Sequence, residues 1–314
     1  MSIPSKIDLE NAIKLVTPQV HQTPVLTSTA LNTLSGAQLF FKCENFQKMG
    51  AFKMRGAVNA ILNLTDEQKK AGVVTHSSGN FGQAVALAAK NLGVTAYVVM
   101  PENAPSVKKQ AVKGYGALVT ECESTISARE ETSAAIQQRT GATFLHPSNN
   151  RDVILGNATA GAELLQKHPN LEVIMAPVGG GGLIAGTALA AEYGGSHCTV
   201  IGGEPFEADD AYRSLQSGKI ETNQTADTVA DGLRTHLGDI NFPIIQELVS
   251  EIIRVEEHEI IAAMQLIWER MKIIIEPSCA VPLAAILREK LRFKNKKIGI
   301  ILSGGNVDLR KLPF

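Results

Sequence analysis

Short runs of β-branched and other apolar residues alternate along this chain with longer Ala/Leu-rich stretches whose apolar positions recur at helical spacing. Residues 39–42, 72–75, 96–100, 117–120, 173–177, 199–203 and 297–302 read as strands. Residues 83–92, 126–139, 160–167 and 257–271 read as helices between them. Strands that take turns with helices predict α/β units around mainly parallel sheets. The units within residues 72–149 predict a small domain of their own, inserted in a larger domain made of residues 1–71 and 150–314. No internal repeat or low-complexity tract interrupts this order.

At 314 residues the chain is long enough for two such lobes. Its 44% hydrophobic and 19% charged residues suit a globular enzyme. A net charge of −1 gives no electrostatic reason to expect nucleic acid or an anionic membrane surface. No apolar stretch approaches the roughly 20 residues that span a bilayer, and the first residues lack an apolar signal core, so a cytoplasmic protein is expected. Cys43, Cys122, Cys198 and Cys279 are far apart and read as buried, reduced thiols.

The candidate chemistry begins at Gly179-Gly180-Gly181-Gly182, entered by an apolar run and left by an Ala/Leu-rich one. Backbone N–H groups without side chains in the way approach a ligand closely at a helix N-terminus, which holds an anion, most often a phosphate. Gly180-x-Gly182-x-x-Ala185 followed by Glu204 also fits a relaxed dinucleotide fingerprint, which would mean a nicotinamide-dependent oxidoreductase. A tight turn without ligand is the third reading.

Three other segments follow expected strands. Lys53 stands between Phe52 and Met54, where burial would disfavour the ammonium form and free the amine for a Schiff base; the alternative is an exposed lysine at a helix start. Ser77-Ser78-Gly79-Asn80 presents hydroxyls and N–H groups suited to a carboxylate, or simply caps a helix. Ser303-Gly304-Gly305-Asn306 puts a hydroxyl at the tip of a buried strand. A phosphate cradle, a desolvated lysine, a carboxylate loop and a strand-end serine together suit pyridoxal 5'-phosphate with a bound amino acid.

On these motifs, with Ala230-Asp231-Gly232 and Glu276-Pro277, the chain resembles the fold-type II pyridoxal-phosphate enzymes, within them the eukaryotic-type serine racemases and serine/threonine dehydratases. The resemblance implies an α/β fold of the tryptophan synthase β type, two open lobes with the cofactor in the cleft, and a homodimer. It places the imine on Lys53, Phe52 beside the cofactor, Asn80 at the ring hydroxyl and the four glycine N–H groups on the phosphate. Ser303 falls at the pyridine nitrogen, and Gly232 and Glu276 complete the cofactor set. A serine there, unlike an aspartate, does not stabilise a protonated ring, which favours elimination or brief proton exchange.

The resemblance further implies that Lys53 takes the Cα proton and that Ser78 returns one on the other face, giving L- and D-serine. Ser77, Ser78, Gly79, Asn80 and Arg129 form the implied substrate site. Elimination from serine or threonine to a 2-oxo acid and ammonia is the companion activity. A dehydratase acting mainly on serine, threonine or 3-hydroxyaspartate is the alternative; the last group shares the Ser-Ser-Gly-Asn loop, while His146-Pro147-Ser148-Asn149 is closer to the racemase pattern. Glu204, the Ala208 carbonyl and Asp210 are the implied ligands of a divalent cation, Mg²⁺, Ca²⁺ or Mn²⁺. Lys48, Gln83 and Lys108 match a nucleotide effector site for ATP. Two departures bear on substrate preference: Phe81 stands in place of a histidine, and 154–159 replaces a Gly-Gln-Gly-Thr run.

Overall fold

The computed structural model describes residues 3–104, 106–194 and 197–314. Among them are the strands β1 (Val25–Leu26), β2 (Gln38–Cys43), β3 (Val73–His76), β4 (Ala96–Pro101), β5 (Leu118–Cys122), β6 (Thr143–Phe144), β7 (Val173–Pro177), β8 (Thr199–Pro205), β9 (Glu251–Val255) and β10 (Lys297–Leu302). They form two sheets, β1-β2-β10-β7-β8-β9 and β5-β4-β3-β6. Every pair is parallel except β1 with β2, as the α/β reading expects.

The large sheet is covered on both faces, which is why β7 and β10 read as nearly unbroken apolar runs. Met175 and Ile300 pack on one face with Leu283 and Ala284 of the helix Pro277–Arg288. Ile174 and Ile301 pack on the other with Leu155 and Leu164 of the helix Arg151–Lys167 and Leu189 of Gly182–Tyr193. Among the described residues no helix is long and apolar enough to cross a membrane.

Two features fix the helix that carries Lys53. The first is a close crossing. A Cβ on Gly156 would lie 2.4 Å from the Arg55 carbonyl oxygen, and one on Gly56 would lie 2.6 Å from Asn157 Oδ1, so the helices Lys53–Leu62 and Arg151–Lys167 touch backbone to backbone. The 154–159 run therefore packs helices: Asn157 donates to the Gly182 carbonyl at 3.3 Å, and Thr159 accepts from Arg55 Nη1 at 3.1 Å.

The second is a buried charge network. Arg55 reaches Glu44 through Nε at 2.7 Å and Nη2 at 2.9 Å, and Glu163 through Nη1 at 2.7 Å and Nη2 at 2.9 Å. Lys42 adds a bond to Glu163 at 2.5 Å and one to the Thr23 carbonyl at 2.8 Å. Two cations face two anions, and the bidentate forks use most of their hydrogen-bonding capacity. Burial works against the Glu44 charge, yet Arg55 and Lys42 hold its carboxyl below the usual range.

Candidate active site

Four loops lie beyond the carboxyl ends of parallel strands, where open α/β sheets place their ligands. β3 runs into Ser77–Gly79 and the helix Asn80–Leu92; β7 runs into the four glycines; β8 runs into the turn Phe206–Ala208; β10 ends against Ser303. The loop after β10 is locked to the segment before Lys53. Ala51 and Gly304 form an antiparallel bridge, Phe52 N–H donates to the Ser303 carbonyl at 2.9 Å, and Gly305 N–H donates to the Gly50 carbonyl at 2.9 Å.

Lys53 opens its helix, and its amine donates to the Pro147 carbonyl at 2.8 Å. The rings of Phe52 and Phe81 flank it, 4.9 and 5.6 Å from the nitrogen. Burial lowers its pKa to about 8, against the opposing charge of Glu276. Phe81, a departure from the family pattern, thus adds to the dry surroundings that free the amine.

Glu276, Asn80 and Asn306 form one chain of contacts. Asn80 Nδ2 donates to both Glu276 oxygens at 3.1 and 3.0 Å, and Asn306 Nδ2 donates to Asn80 Oδ1 at 2.9 Å and to the Met49 carbonyl at 2.9 Å. Burial pushes Glu276 up to about 7 although the Asn80 amide favours its charge. Gly304 and Gly232 back this group: a Cβ on Gly304 would meet Glu276 Oε1 at 2.9 Å. Ser303 is buried, with its hydroxyl beside Cys279.

The glycine loop fits a phosphate group. Gly181 takes φ +79°, and a Cβ on Gly180 or Gly182 would strike Ser148 at 2.5 or 2.9 Å. Its carbonyl side is braced by Asn241, whose amide donates to the Gly180 carbonyl at 2.9 Å and the Ser148 carbonyl at 3.2 Å. Among the described residues the N–H groups of Gly179, Gly180, Gly181 and Gly182 make no hydrogen bond within the chain. Four buried donors at a helix N-terminus are what an anion would satisfy.

Ser77 and Ser78 are half-buried; Ser77 Oγ accepts from Gly79 N–H at 3.4 Å, and among the described residues the Ser78 hydroxyl has no partner. Arg129 donates to the Thr125 carbonyl at 3.2 Å; burial lowers the pKa of His76, at the end of β3, and the nearby Arg129 charge adds to this. His146, which no local pattern marks as a site residue, shapes the site. Its Nδ1 accepts from the N–H groups of Ser148 and Asn149 at 3.2 and 2.8 Å, which turns the Pro147 carbonyl's segment into a fixed loop. Burial, with the neighbouring His76 and Lys53, lowers its pKa to about 4.

Glu204 and Asp210 are both buried. Glu204 accepts from the N–H groups of Ala211 and Tyr212 at 3.1 and 2.8 Å; Asp210 accepts from Asn223 Nδ2 at 2.7 Å and Leu237 N–H at 3.3 Å. Burial and the Asp210 charge push Glu204 well above the usual carboxylate range, and burial pushes Asp210 to about 6. Among the described residues neither is paired with a lysine or arginine, and no cluster of three His, Cys, Asp or Glu suited to a metal is present. With the buried Ala208 in the turn between them, the two carboxylates fit a hard cation bound through oxygen.

The three residues matched to an effector site are not joined to one another. Lys48 donates to the Gln19 carbonyl at 2.7 Å, Gln83 is buried in the helix Asn80–Leu92, and Lys108 reaches Asp231 at 3.3 Å.

The model of the pyridoxal-phosphate dependent enzymes matches residues 16–304. The chain belongs to this family. Among pyridoxal-phosphate dependent enzymes it is similar to the serine racemase of Dictyostelium discoideum, at 50% identity over 97% of this chain and 95% of that protein. The crystal structure of that racemase superposes with a TM-score of 0.94, covering 98% of this chain and 100% of the other. It is similar as well to the beta-hydroxyaspartate dehydratase of Paracoccus denitrificans (strain Pd 1222), at 48% identity over the whole of both chains. Maize serine racemase superposes with a TM-score of 0.96 at 44% identity, covering 98% of this chain and 95% of that one. The fold is that of the fold-type II enzymes, and the dinucleotide reading of the glycine run is set aside.

Proposed function

We propose that this pyridoxal-phosphate enzyme interconverts L- and D-serine and, as a second outcome of the same proton removal, eliminates water from serine or threonine to give a 2-oxo acid and ammonia. When bound, pyridoxal phosphate supplies the electron sink that makes the Cα–H bond of an amino acid acidic. Lys53 is the base: its amine is dry, flanked by two rings, and held only by a neutral carbonyl. Gly179 to Gly182 hold the phosphate, Asn80 and Ser303 orient the ring, and the Ser77–Gly79 loop takes the substrate carboxylate. Ser78 gives a proton back on the second face.

The observation that carries the racemase reading is the Ser78 hydroxyl, half-buried and free of any partner among the described residues, on the loop that leads to Asn80 and Phe81. Racemisation needs an acid on the face of Cα opposite the base; elimination does not reprotonate Cα on that face. Identity near one half to serine racemases supports the same reading. A second reading, 3-hydroxyaspartate dehydratase, is favoured by the end-to-end 48% match to the Paracoccus enzyme. Incubation with L-serine and, separately, L-threo-3-hydroxyaspartate separates them, with D-serine, pyruvate and oxaloacetate measured together. Background D-serine alongside accumulating oxaloacetate would overturn the racemase reading.

The proposal includes a divalent cation held by Glu204, the Ala208 carbonyl and Asp210, whose positive charge would keep two buried carboxylates ionised.

A further inference from the structure

The reading above leaves one group next to the cofactor site unused. Cys279, in the helix Pro277–Arg288, is fully buried, and its sulfur lies 3.3 Å from Ser303 Oγ. The thiol donates to the Gly304 carbonyl at 2.7 Å, and the sulfur accepts the Gly304 N–H at 2.9 Å. A thiol has one proton. With that proton on the carbonyl, the sulfur can only accept from Ser303, so the hydroxyl hydrogen is directed at Cys279. Burial pushes the thiol pKa up and keeps it protonated.

We propose that Cys279 is a positioning residue that sets how strongly the Ser303 hydroxyl donates to the ring nitrogen of pyridoxal phosphate, by competing weakly for the same hydrogen. This rests on the reading that Ser303 meets that nitrogen. Sulfur is a weak acceptor and an aromatic nitrogen a strong one, so the hydroxyl leaves the first for the second at little cost. The nitrogen is then met by a donor and stays unprotonated. An oxygen at position 279 competes harder for the same hydrogen, and an alanine does not compete at all.

The test reads the ring-nitrogen resonance of ¹⁵N-labelled cofactor in the holoenzyme, together with the cofactor dissociation constant, in Cys279→Ser, Cys279→Ala and Ser303→Ala. Cys279→Ser is expected to move the resonance downfield, toward a nitrogen without a hydrogen bond, and to weaken cofactor binding about threefold. Cys279→Ala is expected to move it upfield. Loss of packing alone would shift both variants in one direction, so shifts of the same sign, or none, overturn the proposal. Ser303→Ala separates the two readings. If it leaves the resonance in place, the Ser303 contact falls and the role of Cys279 with it; if it moves the resonance while both Cys279 variants do not, only the role of Cys279 falls.

Discussion

Lys53 Nζ donates to the carbonyl oxygen of Pro147 at 2.8 Å, joining residues 94 positions apart in sequence. The partner is neutral, so it orients the amine without stabilising its charge as a carboxylate would. Burial then lowers the Lys53 pKa to about 8, well under the ordinary 10.5, and Glu276 is the charge that holds it from falling further. Capture of pyridoxal phosphate by the apoprotein should rise with pH through about 8, because only the free amine attacks. Glu276→Gln removes the stabilising charge and should move that midpoint to lower pH. Stopped-flow absorbance across a pH series measures both, and an unmoved midpoint would count against the coupling.

Ser78→Ala should lower racemisation of L-serine by on the order of a hundredfold or more while elimination falls far less, since a positioned general acid contributes about 10²–10⁴-fold. Parallel assays of D-serine and pyruvate on one enzyme sample give the ratio. Equal losses would remove Ser78 from the acid role.

Arg55→Met should destabilise the protein by about 3–5 kcal/mol, because Glu44 and Glu163 are left with one cation between them in a buried site. Chemical denaturation of the apoprotein reads the stability loss apart from any change in cofactor binding.

His146 gives a pH dependence of known sign. Its folded pKa of about 4 lies below the ordinary 6.5, so over that window the unfolded chain binds a proton that the folded chain does not. Stability should fall as pH drops from 6.5 toward 4, and His146→Gln should flatten this slope. Thermal melts at matched ionic strength test it, and parallel slopes for the two proteins would refute it.

A divalent cation should stabilise the protein by about 2.7 kcal/mol when present at about a hundred times its dissociation constant. Chelation should reverse the gain, and Asp210→Asn should abolish it. Melting with and without Mg²⁺ or Ca²⁺ is the measurement; an identical response in Asp210→Asn would place the ion elsewhere.

The sequence made some of this legible and hid the rest for physical reasons. The seven expected strands are all present, most of them because buried parallel strands leave a nearly continuous apolar signature. β5, largely exposed or half-buried, shows only as a short β-branched run. β1 and β6 are two residues each, too short for any periodicity, and β9 carries Glu251 and Arg254 within five residues. The helix Arg151–Lys167 begins nine residues before the expected 160, since Asp152, Asn157 and Thr159 interrupt its apolar pattern. Thr159 accepts from Arg55 of the Lys53 helix, Asn157 donates to the Gly182 carbonyl, and Asp152 offers Asn59 only its backbone carbonyl. Lys53, the glycines and Ser303 carry side-chain or glycine signals and were readable. Pro147 acts through its carbonyl, and Asn241 and Cys279 act through distant partners, so no local pattern marks them.

The clasp between Ala51 and Gly304 has a consequence for how the protein is made. Lys53 is translated about 250 residues before the turn that completes its surroundings. Until that turn emerges, Lys53 is a solvated lysine without the burial that frees its amine, and nothing is there to seat a ring against. Capture of the cofactor is therefore expected only after this late turn has folded onto the segment before Lys53 and buried its amine.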